Sequence, residues 1–239
     1  MSVFPNSILL VLGLVFGSFV GAFTYRYPRK FQFVKGRSFC PNCKKEIAWF
    51  DNIPLLSFLL LWGRCRNCRK RISFRYPLIE LTAGIGFLLI GFNAFWLAIF
   101  LILLAIFVID CEHQIIPDDL VFLGLAFSLY VVRYTPYSSL FAGFFAASLL
   151  LLIHLVTRGR GMGLGDVKFA VLGGALVGLR MAPVWLLLAF LTGGAVGVIL
   201  ILAGKAKLKS KIAFGPFLII SIALTLAYGE KIIVWIYPY

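Results

Sequence analysis

Long apolar runs, separated by short polar segments, most constrain what this chain can fold into. Two of them, 95–109 and 120–132, carry no charged residue. In lipid, backbone N–H and C=O groups must pair within their own segment, which favours helices. The composition agrees, because 62% of the 239 residues are hydrophobic and only 13% are charged, against about 25% charged in soluble domains. The sequence therefore predicts an all-α polytopic membrane protein.

The runs predict about eight transmembrane helices, several of them shorter than the roughly 20 residues that usually cross a bilayer. The predicted spans are 8–25, 77–92, 95–109, 120–132, 140–156, 167–179, 183–203 and 212–228. Residues 230–239 are predicted to form a short outer tail. The glycines of the first span recur every four residues, which indicates a closely packed helix face.

The positions of the basic residues predict the orientation. Of the 23 Lys and Arg residues, only Arg133, Arg180 and Lys231 fall outside the segments assigned to the cytoplasm. Cytoplasmic loops of membrane proteins are rich in Lys and Arg, so we expect both termini outside and a location in the cytoplasmic (inner) membrane of a bacterium. The net charge of +14 is thus explained without nucleic acid, which we do not expect as a partner. The basic surface suits membrane lipid instead.

Two Cys-x2-Cys pairs lie in the one long polar segment, 26–76. They are Cys40, Cys43, Cys65 and Cys68. Two such knuckles at this spacing are typical of a structural zinc site with four thiolate ligands. A pair of disulfides is the alternative, which a reducing cytoplasm disfavours. The predicted domains are therefore a first helix (1–25), a cytoplasmic zinc-binding loop (26–76) and a seven-helix membrane domain (77–239).

An acidic stretch lies where two membrane helices should meet. It holds four of the nine acids of the chain, which are Asp110, Glu112, Asp118 and Asp119. A charge at bilayer depth costs about 2.5–3.5 kcal/mol on insertion scales, so intramembrane acids indicate function. On the same predicted side of the membrane, Asp166 opens another apolar run. We predict that Asp110 and Asp166 form one active site.

Two carboxyl groups held close together can share a proton and hydrolyse a peptide bond. The ionised acid activates water and the protonated acid polarises the scissile carbonyl. The best competing chemistry is a divalent metal bound by the acidic stretch with His113. Gly163 and Gly165 precede Asp166, and their backbone offers a surface for a substrate strand. The simpler alternative is a flexible helix start with Asp166 as its N-cap.

The order of motifs along the chain resembles that of the type IV prepilin peptidases, membrane aspartyl proteases of the Gly-x-Gly-Asp class. The motifs are Gly17-Ser-Phe19, Arg26-Tyr-Pro28, the two Cys pairs, Asn52-Ile-Pro-Leu-Leu-Ser57, Arg75-Tyr-Pro-Leu-Ile-Glu80, Ile109-Asp110, Ile116-Pro-Asp118, Gly161-Met-Gly-Leu-Gly-Asp-Val-Lys168 and Phe214-Gly-Pro-Phe217. The resemblance runs nearly from end to end. It implies that Asp110 and Asp166 are the catalytic pair.

The resemblance also implies the reaction and its partners. The expected activity is cleavage of the basic leader of type IV prepilins or pseudopilins after Gly, at the cytoplasmic face. N-methylation of the new terminus with S-adenosylmethionine would follow and would need the cysteine loop. Lys168 belongs to the Gly-x-Gly-Asp motif and is a candidate auxiliary residue. Glu112, Asp118 and Asp119 are predicted to form an acidic rim that receives leader Lys or Arg.

Three alternatives remain on the sequence alone. Another intramembrane Gly-x-Gly-Asp protease would generally lack the cysteine loop. A non-enzymatic membrane module would use the zinc loop to dock a partner. A metal transporter would use Asp110, Glu112, His113 and Asp118 as ligands.

Overall fold

The computed structural model describes residues 6–30, 38–132, 138–205, 207, 210 and 212–236. Four predicted features lie wholly or partly outside these residues: the first part of the cysteine loop (31–37), the turn at 133–137, much of the last basic loop (206, 208, 209 and 211) and the end of the tail (237–239).

Within the described residues the regular structure is helical, apart from two isolated β-bridges. The helices are α1 (Asn6–Arg26), α2 (Leu56–Leu60), α3 (Arg75–Ile90), α4 (Ala94–His113), α5 (Asp118–Val132), α6 (Ser138–Val156), α7 (Leu164–Val177), α8 (Ala182–Leu202) and α9 (Gly215–Ile236). Single 3-10 turns occur at Tyr27–Arg29 and Trp49–Asn52. The all-α membrane fold predicted from the apolar runs is confirmed.

Five of these helices (α1, α4, α6, α8 and α9) are long and apolar enough to cross a membrane. The predicted spans in α3, α5 and α7 are helical but have only 16, 15 and 14 residues. A rise of about 1.5 Å per residue makes such helices shorter than a typical hydrocarbon core. The predicted number of eight spans stays a prediction.

Most helix ends differ from the predicted ones by one to three residues, and three differences affect the candidate site or the tail. Helix α4 continues to His113, so Asp110 lies in a helical turn and not beyond the helix. Helix α7 begins at Leu164, so Asp166 lies in its first turn. Helix α9 continues through residues 230–236 of the predicted outer tail, and the position of that tail outside the membrane stays a prediction. Charged Glu and Lys side chains are good helix formers, and a helix can extend past its apolar part.

The chain divides into two compact units, residues 1–105 and 106–239. In the first unit α1 packs on α3. A Cβ atom added at Gly13 would lie 2.7 Å from the carbonyl oxygen of Ala83, and one added at Gly17 would lie 2.8 Å from the Cα of Glu80. The backbones therefore meet at the glycines, as the four-residue repeat predicted. The predicted three-domain division stays a prediction.

In the second unit, α6 and α7 also approach backbone to backbone. A Cβ at Gly174 would lie 2.6 Å from the carbonyl oxygen of Ala142 and 2.7 Å from the Cα of Gly143. Helix α7 also packs against α5 and α9. Because Asp166 opens α7, this central packing determines where its carboxyl group lies.

We expect Gly174→Ala to destabilise the protein by about 1–3 kcal/mol, since the added methyl group has no space against the α6 backbone. The measurement is thermal unfolding of the purified protein in detergent. Gly194→Ala is the matched control, because nothing lies within 4 Å of a Cβ at that helical glycine. Equal unfolding temperatures for the two variants would contradict the described packing.

Candidate active site and metal centre

Asp110 and Asp166 are two of the few buried acids of the chain, with 4% and 9% of their surface exposed. Asp110 lies in the last turn of α4 and Asp166 in the first turn of α7. The two carboxyl groups are close enough to interact electrostatically. The structure thus brings together two residues that are far apart in the sequence.

The carboxyl group of Asp110 lies at the N-terminus of α9. The backbone N–H of Gly215, the first residue of α9, donates a hydrogen bond to it. Helix N-termini carry unpaired N–H groups and a partial positive charge, so a carboxylate is well placed there. Its Oδ2 atom is buried and has no partner among the described residues that meets the distance and angle of a good hydrogen bond. A buried carboxylate oxygen without a protein partner is available to a water molecule or a substrate.

Asp166 is held by its own helix start. Its Oδ2 accepts a hydrogen bond of 3.2 Å from the backbone N–H of Gly163, the N-cap residue of α7. A Cβ at Gly165 would lie 3.2 Å from the Cβ of Ile116, so this glycine lets the start of α7 approach the segment before α5. The alternative in which Asp166 is the N-cap residue is therefore wrong in position, because Gly163 is the N-cap and Asp166 lies within the first turn. Asp166 still caps the helix start through the bond from Gly163.

The predicted auxiliary residues are distributed around this pair. Lys168 and Asp118 form an ion pair of 2.7 Å, with about half of each side chain exposed. Glu112 lies 3.9 Å from the ring of its neighbour His113. Asp119 lies exposed in the first turn of α5. The predicted rim acid Asp118 is thus already paired with a cation of this chain.

The described residues contain one group of three or more His, Cys, Asp or Glu side chains whose ligand atoms lie close enough for a metal. It consists of Cys40, Cys43, Cys65 and Cys68, with all ligand atoms within 4.8 Å of one another. Among these residues the acidic stretch and His113 form no such group. The structure therefore gives no support to the alternative of a metal site in that stretch.

The two cysteine knuckles have the same backbone geometry. In the first, the N–H of Cys40 donates to the carbonyl of Lys45; in the second, the N–H of Cys65 donates to the carbonyl of Lys70, both at 2.9 Å. A β-bridge closes each knuckle. The repeat of backbone geometry, 25 residues apart, turns two sulfurs of each knuckle toward the same centre.

The four thiols fit a tetrahedral metal ion. All are free cysteines, and the Sγ atoms of Cys40 and Cys68 lie 3.9 Å apart. Zn–S bonds of about 2.3 Å in a tetrahedron place sulfur atoms about 3.8 Å apart. The backbone N–H of Lys70 and the side chain of Asn42 donate to Cys68 and lower the pKa of its thiol to about 6. The loop itself thus stabilises the thiolate form of Cys68, which is the form that zinc binds.

Two residues of the acid pair's surroundings had not been predicted as site residues. Gly215 and Ile116 occur in motifs of the sequence, but their contacts with Asp110 and Gly165 depend on the folded chain. The signal that could have found Gly215 is the proline in Phe214-Gly-Pro-Phe217. Proline favours the first turn of a helix, and a helix N-terminus is a suitable neighbour for a carboxylate.

Comparison with known proteins places these features in a family. Residues 11–94 match the Bacterial Peptidase A24 N-terminal domain, and residues 95–198 match the Type IV leader peptidase family. The first match includes the cysteine loop, the feature that argues against the alternative of another Gly-x-Gly-Asp protease. No solved structure matches the chain significantly.

Several known proteins are similar to almost the whole chain. The prepilin leader peptidase/N-methyltransferase of Pseudomonas aeruginosa is 33% identical, covering 93% of this chain and 90% of the relative. The protein of that name from Neisseria gonorrhoeae is 32% identical, covering 92% and 90%. The one from Bacillus subtilis is also 32% identical, covering 95% and 96%.

We expect Gly215→Ala to lower the expected peptidase activity by about 100-fold, since small misplacements of a reacting group can cost that much. A Cβ there would lie 2.6 Å from Asp110 Oδ2 and would displace the carboxyl group. The measurement is the initial cleavage rate in proteoliposomes. The control is Gly197→Ala, whose Cβ would meet only Ile212 at 3.8 Å. A kcat equal to that of the wild type for Gly215→Ala would contradict the role of Gly215 in positioning the carboxyl group of Asp110.

Proposed function

Because this chain belongs to the type IV leader peptidase family, we propose that Asp110 and Asp166 are the two carboxyl groups of its peptidase site. The chain is a membrane endopeptidase that cleaves prepilin leaders and an N-methyltransferase that acts on the product. The observation that supports the assignment best is the buried acid pair, in which Asp110 keeps an oxygen without a hydrogen-bond partner in the described part of the chain.

In the proposed chemistry the two acids have different roles. Asp110, ionised, accepts a proton from the attacking water through its unpartnered Oδ2. Asp166, protonated, donates a hydrogen bond to the scissile carbonyl oxygen and then its proton, which gives a tetrahedral diol. When the C–N bond breaks, the proton held by Asp110 passes to the leaving amine, and one hydroxyl of the diol returns its proton to Asp166 as the carbonyl reforms. The two acids then share one proton again. Gly215 positions Asp110 and the start of α7 positions Asp166.

The proposed substrate geometry follows from the location of the acids at helix ends. A prepilin presents a basic leader followed by an apolar segment, and we propose cleavage after Gly at the cytoplasmic face. Both termini of the chain would then lie outside, as the distribution of basic residues predicts. The backbone at Gly163 and Gly165 is the proposed contact for an extended substrate strand. The close approach of Gly165 to Ile116 supports a further, structural reason for that glycine.

We propose that the acidic rim receives cations of the leader. Its members are Glu112 and Asp119, together with Asp118, whose ion pair with Lys168 would open or be shared when a leader binds. Exposed ion pairs of this kind contribute only about 0–1 kcal/mol, so exchange with a substrate cation costs little. Lys168 therefore competes with the leader for Asp118.

We expect Asp110→Asn and Asp166→Asn each to abolish prepilin cleavage, because an amide neither accepts the proton of water nor donates a carboxyl proton. The assay is cleavage in liposomes followed by mass spectrometry of the mature N-terminus. Glu230→Gln is the control, since it removes the same charge from an exposed position paired only at 3.9 Å with Arg180. Cleavage by a correctly folded Asp110→Asn or Asp166→Asn variant would refute the mechanism.

We also propose that the four-cysteine cluster holds a structural zinc ion. Its thiol geometry fits, and four protein ligands leave no open coordination position for catalysis. When bound, the ion would cross-link the two knuckles of a loop too small to fold on an apolar core. The methyl donor proposed from the resemblance is S-adenosylmethionine. The described residues lack a β-sheet nucleotide fold, and we assign none of them to that donor.

We expect Cys43→Ser and Cys68→Ser to lower bound zinc below one ion per chain and to lose N-methylation, which adds about 14 Da to the mature product. Cys111→Ser is the matched control, because this thiol is free, exposed and outside the cluster. The measurements are metal analysis of the purified protein and mass spectrometry of the processed prepilin. Unchanged zinc content in both cluster variants would rule out the proposed site.

A further inference from the structure

The segment between the two cysteine knuckles exposes a set of large apolar side chains. We call residues 49–62 the interfacial segment; it comprises the 3-10 turn Trp49–Asn52 and helix α2. Its most exposed side chains are Trp62 (88%), Trp49 (76%), Leu60 (70%) and Leu59 (67%). Exposed apolar surface concentrated in so short a segment marks an interaction site.

The interfacial segment is fastened to the start of a membrane helix. The N–H of Leu55, immediately before α2, donates a 2.8 Å hydrogen bond to Oε2 of the buried Glu80 in α3. Leu55 has a φ of 56°, an uncommon conformation for a leucine. The ring of Phe58 in α2 contacts that of Phe74, the N-cap residue of α3, with 5.4 Å between centroids. These contacts hold α2 at the level where α3 begins.

The surroundings of the interfacial segment are strongly basic. Between residues 38 and 75 there are two acids and eight basic residues, Lys44, Lys45, Arg64, Arg66, Arg69, Lys70, Arg71 and Arg75. One of the acids, Asp51, is bound through both carboxylate oxygens by Arg66. The remaining charge is therefore mostly positive, and it lies next to exposed Trp and Leu side chains.

We propose that the interfacial segment lies in the surface of the bilayer and binds anionic lipid. Leu59, Leu60 and Trp62 would enter the boundary between headgroups and acyl chains, where Trp is enriched in membrane proteins. The flanking Lys and Arg side chains would contact lipid phosphate groups. Attachment to α3 and the match between positive charge and anionic headgroups both favour lipid over a protein partner. The proposal is independent of the peptidase chemistry.

This anchor would restrain the zinc knuckles. Both knuckles flank the interfacial segment in sequence, and the Asp51–Arg66 pair ties that segment to the second knuckle. A segment that lies in the interface would therefore keep both knuckles close to the membrane surface. Glu80 would then serve as the attachment point of the loop, which gives this buried acid a role outside the proposed peptidase pair.

The first experiment locates Trp62 in the full chain reconstituted into nanodiscs. The emission of Trp62 is obtained as the difference between wild type and Trp62→Phe. We expect lipids brominated near the headgroup to quench it at least about twofold more than aqueous iodide does, as for interfacial tryptophans. Trp185→Phe provides the buried reference, since Trp185 is fully buried and bonded to the carbonyl of Leu218. Zinc content reports whether Trp62→Phe keeps the loop folded.

Three outcomes of that experiment would overturn the proposal. Quenching of Trp62 by iodide and not by bromolipid would mean that the segment faces water. Protection from both quenchers, as for Trp185, would mean that protein covers it. Protection that appears only when a prepilin is added would identify the substrate as the occupant.

The second experiment tests the lipid charge. In the full chain, Lys70→Gln combined with Arg71→Gln should lower the phosphatidylglycerol retained after purification by about twofold, because two phosphate contacts are lost. Arg158→Gln combined with Arg160→Gln is the matched control, which removes the same charge from the basic loop before α7. Equal retention by both double variants, whether reduced or unchanged, would contradict a specific role of the segment.

Discussion

The burial of two carboxyl groups in an apolar helical bundle is the constraint on which the second unit depends. A charge at membrane depth is costly unless protein dipoles replace the water it loses. Here backbone N–H groups at helix ends replace that water. The N–H of Gly215 at the start of α9 donates to Asp110, and the N–H of Gly163 before α7 donates to Asp166. The acids can be buried because helices begin or end beside them, and the one unpartnered oxygen of Asp110 is left for chemistry.

Close backbone packing makes those helix ends possible. Helices α6 and α7 touch through Gly143 and Gly174, and Gly165 admits Ile116 beside the start of α7. In lipid, apolar side chains gain little from meeting one another, so association depends on packing and on small residues that let backbones approach. These glycines thus allow the close helix packing that stabilises the unit, and the same packing positions the acid pair.

The cysteine loop uses a different source of order. Few of its described apolar side chains are buried, and several of the largest, such as Trp62, are exposed. Its structure rests on two knuckles with the same hydrogen bonds, a thiol cluster that fits zinc, and the bond from Leu55 to Glu80. A loop stabilised in this way can expose apolar and basic side chains, because it does not need them in its interior.

The sequence by itself determined the class of fold, the existence of each long helix, the cysteine cluster and the candidate acids, because apolar runs, knuckle spacing and the family motifs are all local patterns. It also placed Asp110 and Asp166 near helix ends, within a few residues. Only the tertiary structure decided that Gly215 serves Asp110, that Lys168 pairs with Asp118 and that Glu80 holds Leu55. These partners are separated by 25 residues or more, and which side chains meet across such distances depends on how the helices pack, a property no local pattern encodes.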